Sequence, residues 1–319
     1  MPRLRVLLRR TLLALGGLLA LAALAAAGVW IYLHPPVERT DGLVYGRRGD
    51  QALTFDRLRP ARPNGAAVVV VVSGGWRSKR PGEFATWMAA PLLRRGYTVF
   101  AVCHVSQPRA TVMEIAADLH RAVRFLRHHA AEHGVDPARF GITGGSAGGH
   151  LSLLLATRGG PGDPAAPDPV DRGSSRVQAV ALFFPITDLL NLGSSTENPG
   201  DGGPPRSYVR AFGPAGRDPA RWREIGRDTS PIYHVTAALP PVLIHHGDAD
   251  TLTPLEQSEW FQAAAARAGA TVRIVVHRGG RHGWMTMPWD IFQFGTWFDR
   301  HLAQQDLVLP PEIRQPGGA

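Results

Sequence analysis

The sequence predicts an α/β fold in which a mostly parallel sheet carries helices on both faces, behind an N-terminal membrane-spanning or signal helix. From about residue 40 onward, apolar and β-branched runs alternate with segments of helical periodicity, which is typical of parallel strands joined by helices. Residues 67–72 are apolar without interruption, as expected for a strand buried on both faces. The 319 residues, 44% of them hydrophobic, are enough for the core of one large domain.

The first 35 residues are predicted to form a signal anchor. Residues 11–33 carry no charge and follow four arginines, Arg3, Arg5, Arg9 and Arg10. As a helix this run is about 34 Å long, enough to cross a bilayer core of about 30 Å. The positive flank is expected to stay in the cytoplasm, so the rest of the chain lies outside it, anchored to the cytoplasmic membrane.

A cleaved signal peptide is the alternative for this segment. Residues 25–27 supply an A-x-A pattern, and cleavage there would release a secreted or periplasmic protein. However, the apolar run continues through Trp30 and Tyr32, aromatic residues that suit a membrane interface. We therefore favour the uncleaved anchor.

The main domain is predicted over residues 36–309 and opens with a hairpin at residues 43–55. Six apolar runs predict further strands, at residues 67–72, 97–102, 140–143, 177–184, 241–245 and 272–277. Apolar residues at helical spacing predict helices at residues 112–126, 147–157, 255–268 and 289–302.

One long segment interrupts this alternation. Residues 188–235, here called the excursion, are rich in Gly, Pro, Ser and Asp and contain one helical patch near residues 220–225. We expect the excursion to form a cap or lid over the top edge of the sheet. Residues 310–319, which are rich in proline and glycine, are predicted to be a flexible tail.

Charge and cysteine content argue against several classes of function. The formal net charge is +9, but the arginines are spread along the chain and Lys79 is the only lysine, so no nucleic-acid partner is predicted. Cys103 is the only cysteine, so no intramolecular disulfide can form. No Cys/His cluster has metal-ligand spacing, and the acidic residues Asp163, Asp168 and Asp171 are expected to solvate a turn. We predict no metal and no cofactor.

One motif carries nucleophilic chemistry. Residues 144–148 read Gly-Gly-Ser-Ala-Gly and match G-x-S-x-G, with a predicted strand before them and a predicted helix after them. This context is that of a nucleophile elbow, where a strained turn exposes the serine hydroxyl. Neither a P-loop nor a dinucleotide-binding glycine pattern is matched. Ser146 is therefore the predicted nucleophile.

A serine hydroxyl needs a base to accept its proton, and the base needs an acid to orient it. In the fold that uses this elbow the acid and then the histidine follow the serine along the chain. Asp248 and Asp250 lie after the strand at residues 241–245, before a predicted capping box at residues 253–256 that starts the next helix. His282 lies in a glycine-flanked loop and is the predicted base, with His277 as the weaker candidate.

The transition state of acyl transfer also needs N–H donors for its oxyanion. The backbone of Ala147, directly after the nucleophile, is one predicted donor. Gly74 and Gly75 follow the strand at residues 67–72, and glycine lets the backbone turn its N–H groups toward the site. We predict an oxyanion hole formed by these three residues.

The chain resembles α/β-hydrolase-fold esterases, namely the feruloyl and acetyl esterases and the hormone-sensitive-lipase-like enzymes. The resemblance lies in Gly-Gly-Ser-Ala-Gly-Gly-His-Leu at residues 144–151, in residues 135–140 before it, and in His-Gly at residues 282–283. His-Gly-Asp-Ala-Asp at residues 246–250, followed by Pro254, is similar to a motif shared with prolyl-oligopeptidase-like hydrolases. That motif implies that Asp250, rather than Asp248, is the catalytic acid.

The resemblance covers roughly residues 40–305 and implies an esterase acting on small acyl esters, including those of polysaccharides or the cell envelope. A prolyl-oligopeptidase-like peptidase, a lipase or thioesterase, and a non-catalytic binding module are the alternatives. The chain before the sheet is too short for the propeller of the peptidases. One departure concerns Ser73, which stands where these esterases usually carry a histidine in the oxyanion loop.

Overall fold

The computed structural model describes residues 2–302, in which eight strands form one sheet in the order β1-β2-β4-β3-β5-β6-β7-β8. The predicted tail, residues 310–319, lies outside the described residues. The strands are β1 (Val37–Arg48), β2 (Gln51–Pro60), β3 (Ala67–Val71), β4 (Thr98–Val102), β5 (Phe140–Gly145), β6 (Ala179–Phe183), β7 (Val242–Gly247) and β8 (Val272–His277). The helices are α1 (Pro2–Leu33), α2 (Ala90–Arg94), α3 (Val112–His128), α4 (Ala130–His133), α5 (Ala147–Arg158), α6 (Pro219–Thr229), α7 (Glu256–Arg267) and α8 (Met287–Leu302).

The sheet is parallel except at one edge. β1 and β2 form the predicted hairpin, which is longer than predicted at both ends, and β2 pairs antiparallel with β4. From β4 onward all neighbouring strands are parallel. The carboxyl ends of the parallel strands therefore share one edge, where ligands bind in open α/β sheets. The predicted mostly parallel α/β fold is confirmed.

The sheet separates two hydrophobic cores, because successive side chains of a strand point to opposite faces. Val69 and Val71 of β3 pack in the core that contains residues of α3 and α5. Val68 of the same strand packs in the other core, with residues of α2 and α8. The unbroken apolar run therefore reflects burial on both faces, as predicted.

The excursion leaves the carboxyl end of β6 and packs back on the domain. It contains α6 and the 3₁₀ helices Arg206–Phe212, Pro214–Arg217 and Pro231–His234. Leu189, Phe212 and Trp222 are buried in the core of α3 and α5. The predicted helical patch thus becomes α6, and apolar residues before it and within it hold the excursion against the domain.

α1 is the one helix of the described residues that is long and apolar enough to cross a membrane. Its segment Arg9–Leu33 has 25 residues with a mean hydropathy of 2.3, and none of that window is buried against the protein. Three residues, 34–36, connect α1 to β1. By length and composition alone, a signal sequence would look the same.

Candidate active site

Ser146 lies between β5 and α5 with φ 54° and ψ −122°, a conformation that non-glycine residues rarely adopt. Two glycines make the sharp turn possible. A Cβ on Gly144 would lie 2.5 Å from the backbone of Gly148, and one on Gly148 would lie 2.6 Å from the carbonyl oxygen of Val71. The predicted elbow is thus present at residues 144–148, and glycine is required because the backbones approach so closely.

The structure brings the three predicted residues Ser146, His282 and Asp250 into one hydrogen-bonded row. Nε2 of His282 is 2.9 Å from Oγ of Ser146. Nδ1 of His282 is 2.8 Å from Oδ2 of Asp250. An N–H on Nδ1 that donates to the carboxylate leaves Nε2 free to accept the serine proton. These residues come from the ends of β5, β7 and β8, which lie at one edge of the sheet.

The Asp250 carboxylate is buried yet well supplied with donors. The backbone N–H groups of Leu252 and Thr253 donate to Oδ1 at 2.9 Å and 3.0 Å, and the Thr253 hydroxyl donates to Oδ2 at 2.9 Å. Burial alone would raise the pKa of Asp250, but the hydrogen bonds from His282 and Thr253 leave that pKa below its ordinary value. The carboxylate is therefore ionised where it orients the histidine.

Asp248 and His277, the other candidates, lie outside this row. The Asp248 carboxylate accepts the backbone N–H of Gly279 at 2.6 Å and so ties down the loop that carries His282. His277 contacts His245 instead, with 2.9 Å between Nε2 of the former and Nδ1 of the latter.

The predicted capping box at residues 253–256 is wrong. α7 begins at Glu256 with Leu255 as its N-cap and has no side-chain cap. The Thr253 hydroxyl bonds to Asp250 and lies 3.2 Å from Nδ1 of His282, while the Glu256 carboxylate accepts the backbone N–H of Ser194. Thr253 therefore hydrogen-bonds to the Asp250 carboxylate instead of capping α7, which the helix-start pattern in the sequence did not indicate.

The three predicted oxyanion donors differ in what their N–H groups do. The N–H of Gly74 donates to the carbonyl of Arg77 at 2.9 Å and closes a turn. Among residues 2–302, no acceptor pairs with the N–H of Gly75 or of Ala147, and both residues line clefts that also contain Ser146. Gly75 has φ +54°, and a Cβ there would lie 2.8 Å from the Tyr208 ring.

A buried histidine connects the predicted oxyanion loop to α5 and to the excursion. The indole N–H of Trp76 donates to Nδ1 of His150 at 3.1 Å, and Nε2 of His150 donates to the carbonyl of Thr229 at 2.7 Å. Burial lowers the pKa of His150 to about 4, so the ring stays neutral and keeps this donor and acceptor pattern at neutral pH. Trp76 itself has a positive φ of 56°, which this hydrogen bond helps to hold.

A cleft of about 490 Å³ opens onto Ser146 and His282. Its walls are mainly apolar and include Phe84, Met88 and Ile291. A larger cavity of about 960 Å³ lies within the excursion and is lined by four arginines, but no predicted catalytic residue reaches it. The smaller cleft is therefore the candidate substrate site.

One side-chain group could be mistaken for a metal centre. Ligand atoms of His245, His277 and Asp290 lie within 4.8 Å of one another, although no spacing in the sequence indicated this. The two histidines share a hydrogen bond of 2.9 Å, and Trp284 donates to Asp290 at 2.6 Å. Nε2 of His245 is buried without a partner among the described residues, but the other polar atoms named here bond to one another or to Trp284, so we interpret the group as a hydrogen-bonded network rather than as a metal site.

The comparison with known proteins decides the family. A family model described as BD-FAE matches residues 58–264, which is well over half of the chain. The chain belongs to the BD-FAE family. The predicted resemblance to serine esterases of the α/β-hydrolase fold is thereby confirmed.

Named relatives of this BD-FAE protein are esterases. Esterase LipQ of Mycobacterium tuberculosis is 32% identical over 73% of this chain and 54% of its own. The acetylxylan esterase of Xylanibacter ruminicola is 25% identical over 76% of this chain and 44% of its own. This chain thus spans about half the length of the curated relatives it matches.

Similar solved structures match over nearly their whole length. A truncated carbohydrate esterase from gut microbiota superimposes with a TM-score of 0.66 at 25% identity, over 82% of this chain and 96% of its own. A thermophilic esterase from Thermogutta terrifontis gives a TM-score of 0.65 at 27% identity, over 85% of this chain and 97% of its own.

Proposed function

We propose that this BD-FAE protein is a serine esterase that cleaves carboxylic esters through an acyl-enzyme on Ser146. The observation that carries the proposal is the row of two hydrogen bonds, 2.9 Å from Ser146 Oγ to His282 Nε2 and 2.8 Å from His282 Nδ1 to Asp250. The names of its relatives and structural neighbours support the same class of reaction.

In the first half of the reaction, Ser146 Oγ attacks the ester carbonyl carbon while its proton passes to Nε2 of His282. The ionised Asp250 carboxylate stabilises the imidazolium that forms. The tetrahedral intermediate collapses when its C–O bond to the alcohol breaks and His282 returns the proton to the departing alkoxide oxygen. A water molecule then repeats both steps on the acyl-enzyme and releases the carboxylic acid.

The oxyanion of each tetrahedral intermediate is proposed to accept the N–H groups of Gly75 and Ala147. Removing one such donor typically costs about 10²- to 10³-fold in kcat. The N–H of Gly74 is engaged with Arg77, so in this proposal Gly74 shapes the loop. Ser73, in place of the usual histidine, supports the site through its carbonyl oxygen, which accepts the N–H of Gly148 at 3.1 Å.

We further propose that α1 remains as a membrane anchor and that the substrates are esters outside the cytoplasm, on polysaccharides or other envelope components. The arginines ahead of the apolar segment support this orientation. Cleavage after residue 27 would leave Tyr32 in the chain and stacked on the Phe292 ring, so the length of the purified chain distinguishes the two forms. The mass of the chain purified from membranes tests the anchor, and a mass lacking the first 27 residues would contradict it.

The esterase proposal is tested with p-nitrophenyl acetate, butyrate and decanoate. Loss of the nucleophile in Ser146→Ala is expected to reduce hydrolysis by about 10⁴- to 10⁶-fold. Ser152→Ala is the matched control, since its hydroxyl bonds only to the Gly148 carbonyl of α5 among the described residues. A folded wild-type protein that hydrolyses no ester faster than Ser146→Ala would overturn the proposal.

A further inference from the structure

Exposed apolar side chains lie on, or directly before, the elements of the catalytic domain that contact α1. Trp30 near the end of α1 is 63% exposed, and Trp289 at the start of α8 is 46% exposed. Trp87 in the 3₁₀ helix Thr86–Ala89 is 40% exposed, and Met285 just before α8 is 95% exposed. Trp87, Met285 and Trp289 are here called the apolar rim. Large aromatic residues are costly to leave in water and are enriched at the membrane interface.

The end of α1 is fixed to the elements that carry the rim. The Tyr32 ring stacks on Phe292 of α8 with 5.1 Å between centroids. The Arg94 guanidinium of α2 lies 4.8 Å from the centroid of the Tyr32 ring, and its Nε donates to the Tyr32 carbonyl at 2.6 Å. α1 also contacts the 3₁₀ helix that carries Trp87. Because only three residues link α1 to β1, a span of about 10 Å at most, the domain has little freedom to turn this face away from a membrane that holds α1.

The same elements form one wall of the substrate cleft. Met88 lines the cleft directly after Trp87, and Ile291 lines it two residues after Trp289. Leu92 of α2 lines it two residues before Arg94. The cleft that contains Ser146 and His282 is therefore bounded on the side of the rim by apolar side chains. A fatty acyl chain is the ligand chemistry that such a wall would accept.

We propose that the apolar rim docks on the phospholipid bilayer and that the cleft takes its ester from the membrane, with the acyl chain lying along Met88, Leu92 and Ile291. This inference rests on the proposed esterase function and anchor, and it narrows the substrate class to acyl esters dissolved in the outer face of the membrane. The occupant of the rim is the bilayer itself, because α1 ends beside the rim and leads directly into the membrane.

The position of the rim can be measured with single spin labels on the full-length chain in phosphatidylcholine vesicles. Labels are attached to Trp87→Cys and Trp289→Cys, with Val44→Cys as the control because Val44 is 50% exposed and lies on β1, which carries none of the rim residues. The native Cys103 is buried, and burial raises the pKa of its thiol to about 11, so it competes poorly for the label.

The expected result is that oxygen dissolved in lipid relaxes the labels at 87 and 289, while a water-soluble nickel complex relaxes the label at 44. Labels at 87 and 289 that respond to the nickel complex as the control does would overturn the proposal. Labels shielded from both reagents would also overturn it, because a second copy of the chain would then cover the rim.

A kinetic comparison tests substrate delivery. The double variant Trp87→Ser/Trp289→Ser is expected to lose about tenfold or more in hydrolysis of p-nitrophenyl palmitate dissolved in the vesicles, since two interfacial aromatic anchors are gone. Its hydrolysis of p-nitrophenyl acetate in water should match the wild type, and Val44→Ser should change neither rate. Equal losses on both esters, or no loss on palmitate, would overturn membrane delivery. Absence of all ester hydrolysis in the wild type would instead refute the esterase proposal, and the label depths would still decide the docking face.

Discussion

The buried His150 offers the sharpest test of how the oxyanion loop is held. In His150→Phe the ring is replaced by one of similar shape, but the Trp76 indole N–H and the Thr229 carbonyl lose partners now at 3.1 Å and 2.7 Å. Leaving a buried polar group unpaired costs about 1–3 kcal/mol. Two such groups give an expected destabilisation of about 2–6 kcal/mol. Because Trp76 follows Gly75 directly, kcat should also fall, by about 10- to 100-fold if the Gly75 donor is partly misplaced.

Urea unfolding and ester hydrolysis are measured for His150→Phe, Trp76→Phe and the double variant. The comparison distinguishes loss of the hydrogen bond from loss of ring packing. Trp76→Phe removes the indole N–H, so His150→Phe should cost less in that background than in the wild type. The expected coupling energy between the two positions is about 1 kcal/mol or more. Additive effects on both unfolding and kcat would refute the view that the hydrogen bond, rather than ring packing, positions the loop.

Three further predictions concern the site and its pH dependence. Asp250→Asn should lower kcat by about 10⁴-fold through loss of the correct histidine tautomer. The Asp248 carboxylate only ties down a loop, so Asp248→Asn should lower kcat much less. Equal losses in ester assays would contradict the choice of Asp250 as the acid. Gly75→Ala should lose most activity, because an added Cβ is strained at φ +54° and would lie 2.8 Å from the Tyr208 ring, which displaces the N–H donor. A Cβ on Gly74 has no neighbour within 4 Å, so Gly74→Ala should keep most activity. The reverse order of activities would exclude Gly75 as the donor. The pKa of His150 is lowered from 6.5 to about 4, so between these pH values the unfolded chain binds a proton that the folded chain does not. Stability should therefore fall as the pH drops from 6.5 toward 4, by up to about 1.4 kcal/mol per pH unit from this group. Urea midpoints of His150→Phe measured across that range should show a shallower dependence on pH.

The elbow and the positions of the strands along the chain could be predicted from the sequence because their determinants are local. Gly144, Ser146 and Gly148 lie within five residues, and the apolar runs on both sides have the lengths and periodicities of a strand and a helix. The two core faces of β3 follow from alternation along a single strand. Such features depend on neighbours in the chain, so sequence patterns report them directly.

The surroundings of the site could not be predicted in this way. Trp76, His150 and Thr229 are separated by 74 and 79 residues, and their pairing depends on how the excursion packs on α5. Thr253 matched a helix-start pattern, yet its hydroxyl bonds to Asp250 because the helix begins later and the loop turns toward the acid. Gly74 and Gly75 are both glycines after the same strand, so the sequence did not indicate which N–H group is available. In the structure the N–H of Gly74 is used by the turn to Arg77.

Trapping the acyl-enzyme tests the central claim most directly. The BD-FAE protein is mixed with p-nitrophenyl acetate, quenched in acid within the first turnovers, digested and analysed by mass spectrometry. The proposed mechanism predicts an acetyl group on Ser146, no acetyl group there in Ser146→Ala, and a burst of p-nitrophenol equal to the enzyme concentration when deacylation is slower than acylation. Steady hydrolysis in Ser146→Ala at the wild-type rate, or an acetyl group that turns over on another residue, would contradict it.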